Sequence, residues 1–218
     1  MMKLVILGAH GRIARLVTDR ILAEPAFRNV TLTLFLRNAH RLAQLEQNPR
    51  VTVVDGDITD QAALTTALQG ADLVFLATVD SRPGNAVTHT VIAAMHAAGV
   101  SRLIASSSIG INHEGPNQAF IDWNQQMIGP SLAGMHAADQ LLRASDLDYT
   151  TTRFAWLNDR DNRDYVVNRE SEPFAGGSGS RQSMADVILK IVADPTLYVR
   201  ETIGISDPAT RDAGSMVY

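Results

Sequence analysis

Seven residues near the start of the chain, Gly8-Ala9-His10-Gly11-Arg12-Ile13-Ala14, have the types and spacing that hold a phosphate. Gly8 permits a tight turn, and Gly11 removes a side chain where a pyrophosphate must approach the backbone. Ala14 is small enough for close helix–strand packing. The free N–H groups of a helix opening at Arg12 and Ile13 would face the anion, and His10 would contact it through its backbone. A glycine turn that serves only packing has the same composition. What favours dinucleotide binding is context, because an apolar run at residues 3–7 precedes the glycines and helical periodicity follows them.

The other chemistry-bearing residues recur at the ends of later apolar runs. After the second comes Leu36-Arg37-Asn38-Ala39-His40-Arg41, with no carboxylate where one would bind a ribose 2′-hydroxyl. Arg37 is planar and permanently charged and suits a 2′-phosphate, and Arg12 would flank the same group, so NADP is expected over NAD. The alternative is that Arg37 and Arg41 are solvated surface charges. Asp57-Ile58 follows the third run and would meet the adenine edge. Ala77-Thr78 follows the fourth, where a small residue lets the nicotinamide half pass. Ser106-Ser107-Ser108 follows the fifth, and serines there equally suit turns and caps.

Elements that place these residues together can be read from periodicity. Strands are expected at 3–7, 30–36, 51–54, 73–77, 103–106, 149–153 and 201–205. Helical spacing joins Ile13, Leu16, Val17 and Ile21, with Pro25 as the limit. A short helix is expected at 41–47. Asp60 caps a helix carrying Leu64 and Leu68 that Gly70 ends, and residues 85–98 form another that ends at Gly99. Residues 111–130 read as loop or irregular helix, with Gly115-Pro116 and Gly129-Pro130 as breakers. A helix at 133–144 follows. Residues 158–181 are polar with a turn at Gly176-Gly177-Ser178-Gly179, and Ser183 caps a helix through Ala193. Strands alternating with helices imply right-handed βαβ units. The fold class is therefore α/β, a single doubly wound domain over 1–218 with a mostly parallel sheet covered on both faces and a small C-terminal elaboration at about 155–218.

Composition bounds the function classes. Net charge is −4 from 19 basic and 23 acidic residues, which argues against a nucleic-acid or anionic-membrane partner. There is no cysteine, so disulfides, thiolate metal sites and cysteine nucleophiles are excluded. His113 and Glu114 have no second histidine at metal spacing, so no metal site is expected. No apolar run approaches a membrane span, and the apolar start is too short for a signal peptide; a cytoplasmic protein is expected.

With these pieces the chain resembles the atypical short-chain dehydrogenase/reductase group of NAD(P)-binding Rossmann proteins. It is most similar to those of flavin reductase (biliverdin IXβ reductase-like) or NmrA-like character. The resemblance rests on the G-x-x-G-x-x-A opening, Gly56-Asp57-Ile58-Thr59-Asp60, Ala71-Asp72, Ser106-Ser107-Ser108, and the run from Met135-His136 through Leu141-Leu142-Arg143-Ala144-Ser145-Asp146-Leu147-Asp148-Tyr149-Thr150. It implies that Phe154-Ala155-Trp156-Leu157 lines the nicotinamide or substrate side and that His136 faces the cofactor. His136 would orient the ribose or donate a proton, although a histidine beside Ala133, Ala137 and Ala138 equally suits packing. Ser108 is the second candidate for proton transfer. Trp123 and Trp156 would cover a planar ligand or simply pack.

One departure from the group is informative. The Tyr-x-x-x-Lys pair that serves proton delivery in better-known dehydrogenases is absent, since the two lysines are Lys3 and Lys190 and neither follows a tyrosine by four. Tyr149 and Arg153 have the spacing, but on a strand they would lie roughly 13 Å apart. Hydride transfer to a flavin or quinone survives this loss, because stacking and distance dominate and water can supply the proton. An NADPH-dependent reductase of such a planar small-molecule acceptor is the leading expectation. A non-catalytic NADP sensor with a protein partner is the alternative, and a sugar-nucleotide epimerase or dehydratase is a weaker one.

Overall fold

A computed structural model describes all 218 residues, Met1–Tyr218. The first apolar run forms β1 (Met2–Leu7), whose residues 4–7 are all buried. Both faces of this strand are covered, which is why its sequence shows no alternation. Leu4 and Ile6 pack with Val17 and Ile21 of α1 (Arg12–Ala23) and with Ile188 of α5 (Arg181–Ala193). Val5 and Leu7 pack the other way, with Leu64 of α2 (Gln61–Leu68), Val91 of α3 (Ala86–Ala98) and Leu142 of α4 (Gln118–Ala144).

The remaining strands are β2 (Val30–Leu36), β3 (Val51–Asp55), β4 (Leu73–Leu76), β5 (Arg102–Ser108), β6 (Asp148–Phe154), β7 (Trp156–Asn158), β8 (Val166–Asn168), β9 (Ser178–Ser180) and β10 (Glu201–Ser206). The main sheet has the order β3-β2-β1-β4-β5-β6-β10-β8, and β7 pairs with β9 separately. Every ladder is parallel except the short edge pair β10–β8. The chain winds outward from β1 to β3, then crosses back to place β4 on β1's other side. The loops after β1 and β4 therefore diverge and leave a crevice at the strands' carboxyl ends. Residues beyond 155 are not confined to the ligand side. They supply β10 and β8 to the main sheet and α5 to its helical layer.

At the opposite sheet end, Arg102 is a buried staple. Its guanidinium donates to the carbonyls of Asp148, Pro195 and Leu197 at 2.7–2.8 Å. Burial lowers its pKa to about 10, so it stays charged at neutral pH.

Four expected elements differ. The expected break at Gly129-Pro130 does not occur, because α4 runs unbroken from Gln118 to Ala144. An internal proline costs about 3 kcal/mol. Phe120, Leu132, Met135 and Leu142 are buried along both halves of the helix, and such burial gives about 1.5–3 kcal/mol each, so packing outweighs the proline. The expected turn at 176–179 is instead the buried strand β9 and its approach. Its glycines are required by neighbours: a Cβ on Gly177 would lie 2.3 Å from the Phe120 ring, and one on Gly179 would lie 2.6 Å from the Met184 methyl. Finally, α5 is capped by Ser180, whose Oγ accepts from the Ser183 N–H at 2.9 Å; Ser183 lies inside the first turn. The short helix expected at 41–47 is a 3₁₀ helix at Ala39–Leu45.

Candidate functional site

The crevice encloses about 630 Å³ at the carboxyl ends of β1 to β4, within the range of small-molecule sites. Of the residues expected to bind the cofactor, Gly8, His10, Gly11, Arg37, Asp57, Ile58, Ala77 and Thr78 all line it. Gly8 adopts φ +79°, which favours glycine. Its N–H and that of Ala9 donate to the Phe35 carbonyl, pinning the loop to β2. A Cβ on Gly11 would lie 3.3 Å from the Gly8 carbonyl and 3.6 Å from that of Ala77. Gly11 also offers no side-chain cap to α1, so the first-turn N–H groups have no side-chain acceptor at the N-cap. Such a turn fits a pyrophosphate, a dianion that supplies the missing acceptors.

The rim beyond β2 is cationic. The Arg37 side chain is 78% exposed and lies 3.8 Å from Asp57. Arg41 is held more firmly. Its guanidinium donates to the carbonyls of Arg37 at 2.5 Å and Asn38 at 3.3 Å, and it lies 3.5 Å from His10 Nδ1. Asn38 makes this possible by entering the left-handed region, φ 58°, as the 3₁₀ turn begins. Arg12 does not flank this corner. It pairs with Asp159 at 2.6 Å, beyond β7, where Arg181 joins the same carboxylate at 2.8 Å. Arg41, legible in the sequence only as a basic residue one helical turn beyond Arg37, occupies the flanking position.

Two further loops close the crevice. Asp57 Oδ1 accepts from the Thr59 N–H and hydroxyl, which holds its carboxyl below the usual carboxylate range. After β4, buried Asp80 accepts from the N–H and hydroxyl of Thr88 at 2.8 and 2.9 Å. Asn85 donates to the carbonyls of Asp80 and Gly134. Gly134 lets α4 press against this loop, since a Cβ there would sit 2.2 Å from the Ser81 carbonyl oxygen. Ser81 and Arg82 thereby reach the crevice wall, a placement with no local sequence signal.

The remaining expected residues lie elsewhere. Ile13 lies in the first turn of α1, outside the crevice lining. Ser106 and Ser107 line a separate void of about 10 Å³ between β5 and α4, with Asp80, Asp139 and Thr151. The Phe154 side chain is buried in the α1–α5 core and does not line the crevice. Ser108 Oγ donates to the Ile109 carbonyl at 3.3 Å, and His136 Nδ1 donates to the Ile111 carbonyl at 2.9 Å. Both candidates for proton transfer are thus tied to the segment after β5, and neither lines the crevice. With Nδ1 donating, neutral His136 presents a basic Nε2. Trp123 and Trp156 pack on each other at 4.7 Å, and Trp156 Nε1 donates to Asn124. A tyrosine and a lysine do meet, Tyr165 and Lys190 at 2.5 Å, with Asp186 and Arg20 beside them. None of these four lines the crevice.

The sheet order, the glycine turn and the crevice at the strand-order reversal agree with comparisons to known proteins. A sequence model of a family described as NAD(P)H-binding matches residues 8–195. The chain belongs to this NAD(P)H-binding family. A solved structure from Veillonella parvula, a wide-type short-chain dehydrogenase/reductase in complex with NADP, is similar to it. The two share 26% identity and a TM-score of 0.91, over 100% of this chain and 99% of that one. A Rossmann-fold NAD(P)-binding family protein from Shigella flexneri is 32% identical, with a TM-score of 0.80 over the whole of both chains. ChuY, described as an anaerobillin reductase from Escherichia coli, shares the fold at 22% identity and a TM-score of 0.77, covering 95% of this chain and 98% of that one. No curated protein matches the chain significantly. This member of the NAD(P)H-binding family therefore has the mostly parallel α/β fold of a short-chain dehydrogenase/reductase. It has no helix long and apolar enough to cross a membrane.

Proposed function

We propose that this chain is an NADPH-dependent oxidoreductase that reduces a planar acceptor such as a flavin or quinone. The observation that carries the cofactor choice is the Arg37/Arg41 corner after β2, where two guanidinium groups stand beside the glycine loop. The adenosine 2′-phosphate of NADPH suits that corner, and NADH has no group to fill it. The Gly8–Gly11 turn and the N–H groups of Arg12 and Ile13 would hold the pyrophosphate, and Asp57 and Ile58 the adenine edge. Ala77 and Thr78 leave room for the nicotinamide half. Bound there, the reduced cofactor supplies a hydride, and the acceptor takes one proton to balance it.

The chain's own contribution is positioning. No tyrosine or lysine lines the crevice, so an acceptor that needs little acid assistance fits best. Ser108 and His136 remain the candidates for proton delivery, His136 as imidazolium through Nε2. The V. parvula protein's complex with NADP and the reductase described in E. coli support this reading by similarity of fold. Purified protein is to be tested for NADPH oxidation against a panel of flavins and quinones. Steady turnover with at least one is expected. Tight NADPH binding without turnover on the whole panel would overturn the reading in favour of a cofactor-sensing protein.

A further inference from the structure

We propose that the His10 imidazole is a proton-linked specificity residue, taking up a proton when the adenosine 2′-phosphate of NADP(H) fills the Arg37/Arg41 corner. This rests on the NADPH reading above and adds a role for a side chain where only a backbone contact was expected. The ring stands in the glycine loop on the crevice wall, with Nδ1 3.5 Å from Arg41 Nη1. A guanidinium only donates, so Nδ1 faces it as a lone pair and the proton of the neutral ring sits on Nε2. The charged groups that act on the ring are Arg41 from the 3₁₀ turn and Arg15 from α1, both cations, with no carboxylate among them. Asp57, which also lines the crevice, faces Arg37 instead. Burial, then Arg41 and Arg15, hold the His10 pKa below its usual value. The free protein therefore keeps this ring neutral at pH 7.

A phosphate dianion reverses that balance. It neutralises the guanidinium charge that opposes protonation and places acceptor oxygens beside the ring. A lone pair on Nδ1 repels those oxygens, whereas an N–H donates to one of them. The complex then titrates at higher pH than the free protein. As pH falls through the pKa of the complex, bound protein gains a proton that free protein lacks, so NADPH affinity rises. The gain levels off below the pKa of the free protein. Each unit of difference between the two pKa values is tenfold in affinity. Protonation of the phosphate itself, near pH 6, weakens binding and so acts in the opposite direction.

The test is calorimetric titration of the full chain with NADPH and with NADH, between about pH 6.5 and about pH 8.5, in buffers of different ionisation heat. NADPH binding is expected to take up a proton and to tighten about tenfold toward the lower pH, while NADH shows neither effect. His10→Gln should retain NADPH preference at the upper pH and lose the slope. The His10 ring-proton chemical shift, titrated with and without NADPH, reads the same pKa change without a variant. A flat NADPH profile in a protein that still prefers NADPH would overturn the His10 role alone. Equal affinity for both cofactors at every pH would overturn the NADPH reading and the His10 role with it.

Discussion

Removing Arg41 should cost more NADPH affinity than removing Arg37, although Arg37 is the residue a sequence comparison would choose. A charge-assisted hydrogen bond to phosphate contributes about 1.5–3 kcal/mol, or roughly 10–150-fold in affinity. Arg37 must be ordered before it can make one. Its side chain is 78% exposed and its nearest partner is 3.8 Å away. Fixing a free arginine costs about 2 kcal/mol of rotamer entropy, which leaves a net gain of about 1 kcal/mol or less, roughly fivefold. The Arg41 guanidinium is already fixed by two carbonyls and His10, so no such ordering cost is subtracted and the whole of that range applies to it. Arg41→Ala should weaken NADPH binding by about 10–150-fold and Arg37→Ala by about fivefold, with NADH nearly unchanged in both. Fluorescence titration with each cofactor measures this, and thermal unfolding checks that the 3₁₀ turn survives. Raising salt should erode the NADPH preference of the parent protein, since the corner is open to screening. An equal loss for both cofactors in Arg41→Ala, or a larger loss in Arg37→Ala, would refute the reasoning.

Gly11→Asp should abolish binding of both cofactors in a folded protein, because a carboxylate would stand at the pyrophosphate position; retained NADPH affinity would remove the glycine loop from the site. If Ser108 or His136 delivers a proton, its replacement by alanine should lower turnover by about 10²–10⁴-fold while leaving NADPH affinity nearly intact; turnover within a few-fold of the parent assigns the proton to solvent. Gly134→Ala should destabilise the fold by about 1–3 kcal/mol in chemical denaturation and weaken cofactor binding, since the new methyl must push the Ser81 backbone out of place. Burial raises the Asp186 pKa, but hydrogen bonds from Tyr165 and Arg20 outweigh it and the net shift is downward. Its ionised form therefore stabilises the protein above the unfolded carboxylate pKa, and the contribution is lost as pH falls through the lower folded value. Asp186→Asn should lower the melting temperature at neutral pH and narrow its gap to the parent in acid; a constant gap would show that the charge is not involved.

Much of this site is local chemistry and was legible in the sequence. The turn from β1 into α1 needs only a glycine free to adopt φ +79° and a small residue at Gly11, and both requirements are met within seven residues. The buried strands show as apolar runs because each is covered on two faces, and the caps at Asp60 and Gly99 act within their own helices. Arg37 and Asp57 follow from their positions just after strands. Contacts between distant residues were not legible, because they depend on strand order. Arg12 turns to Asp159, 147 residues away, and His10 meets Arg41 across the β1–β2 edge. Pro130 reads as a breaker until Phe120 and Leu132 are seen buried along one continuous helix. Gly177 and Gly179 read as a turn until the Phe120 ring and the Met184 methyl are found where their side chains would be. A residue's own backbone preference is encoded beside it. What occupies the space around it is set by packing partners that only the folded sheet brings together.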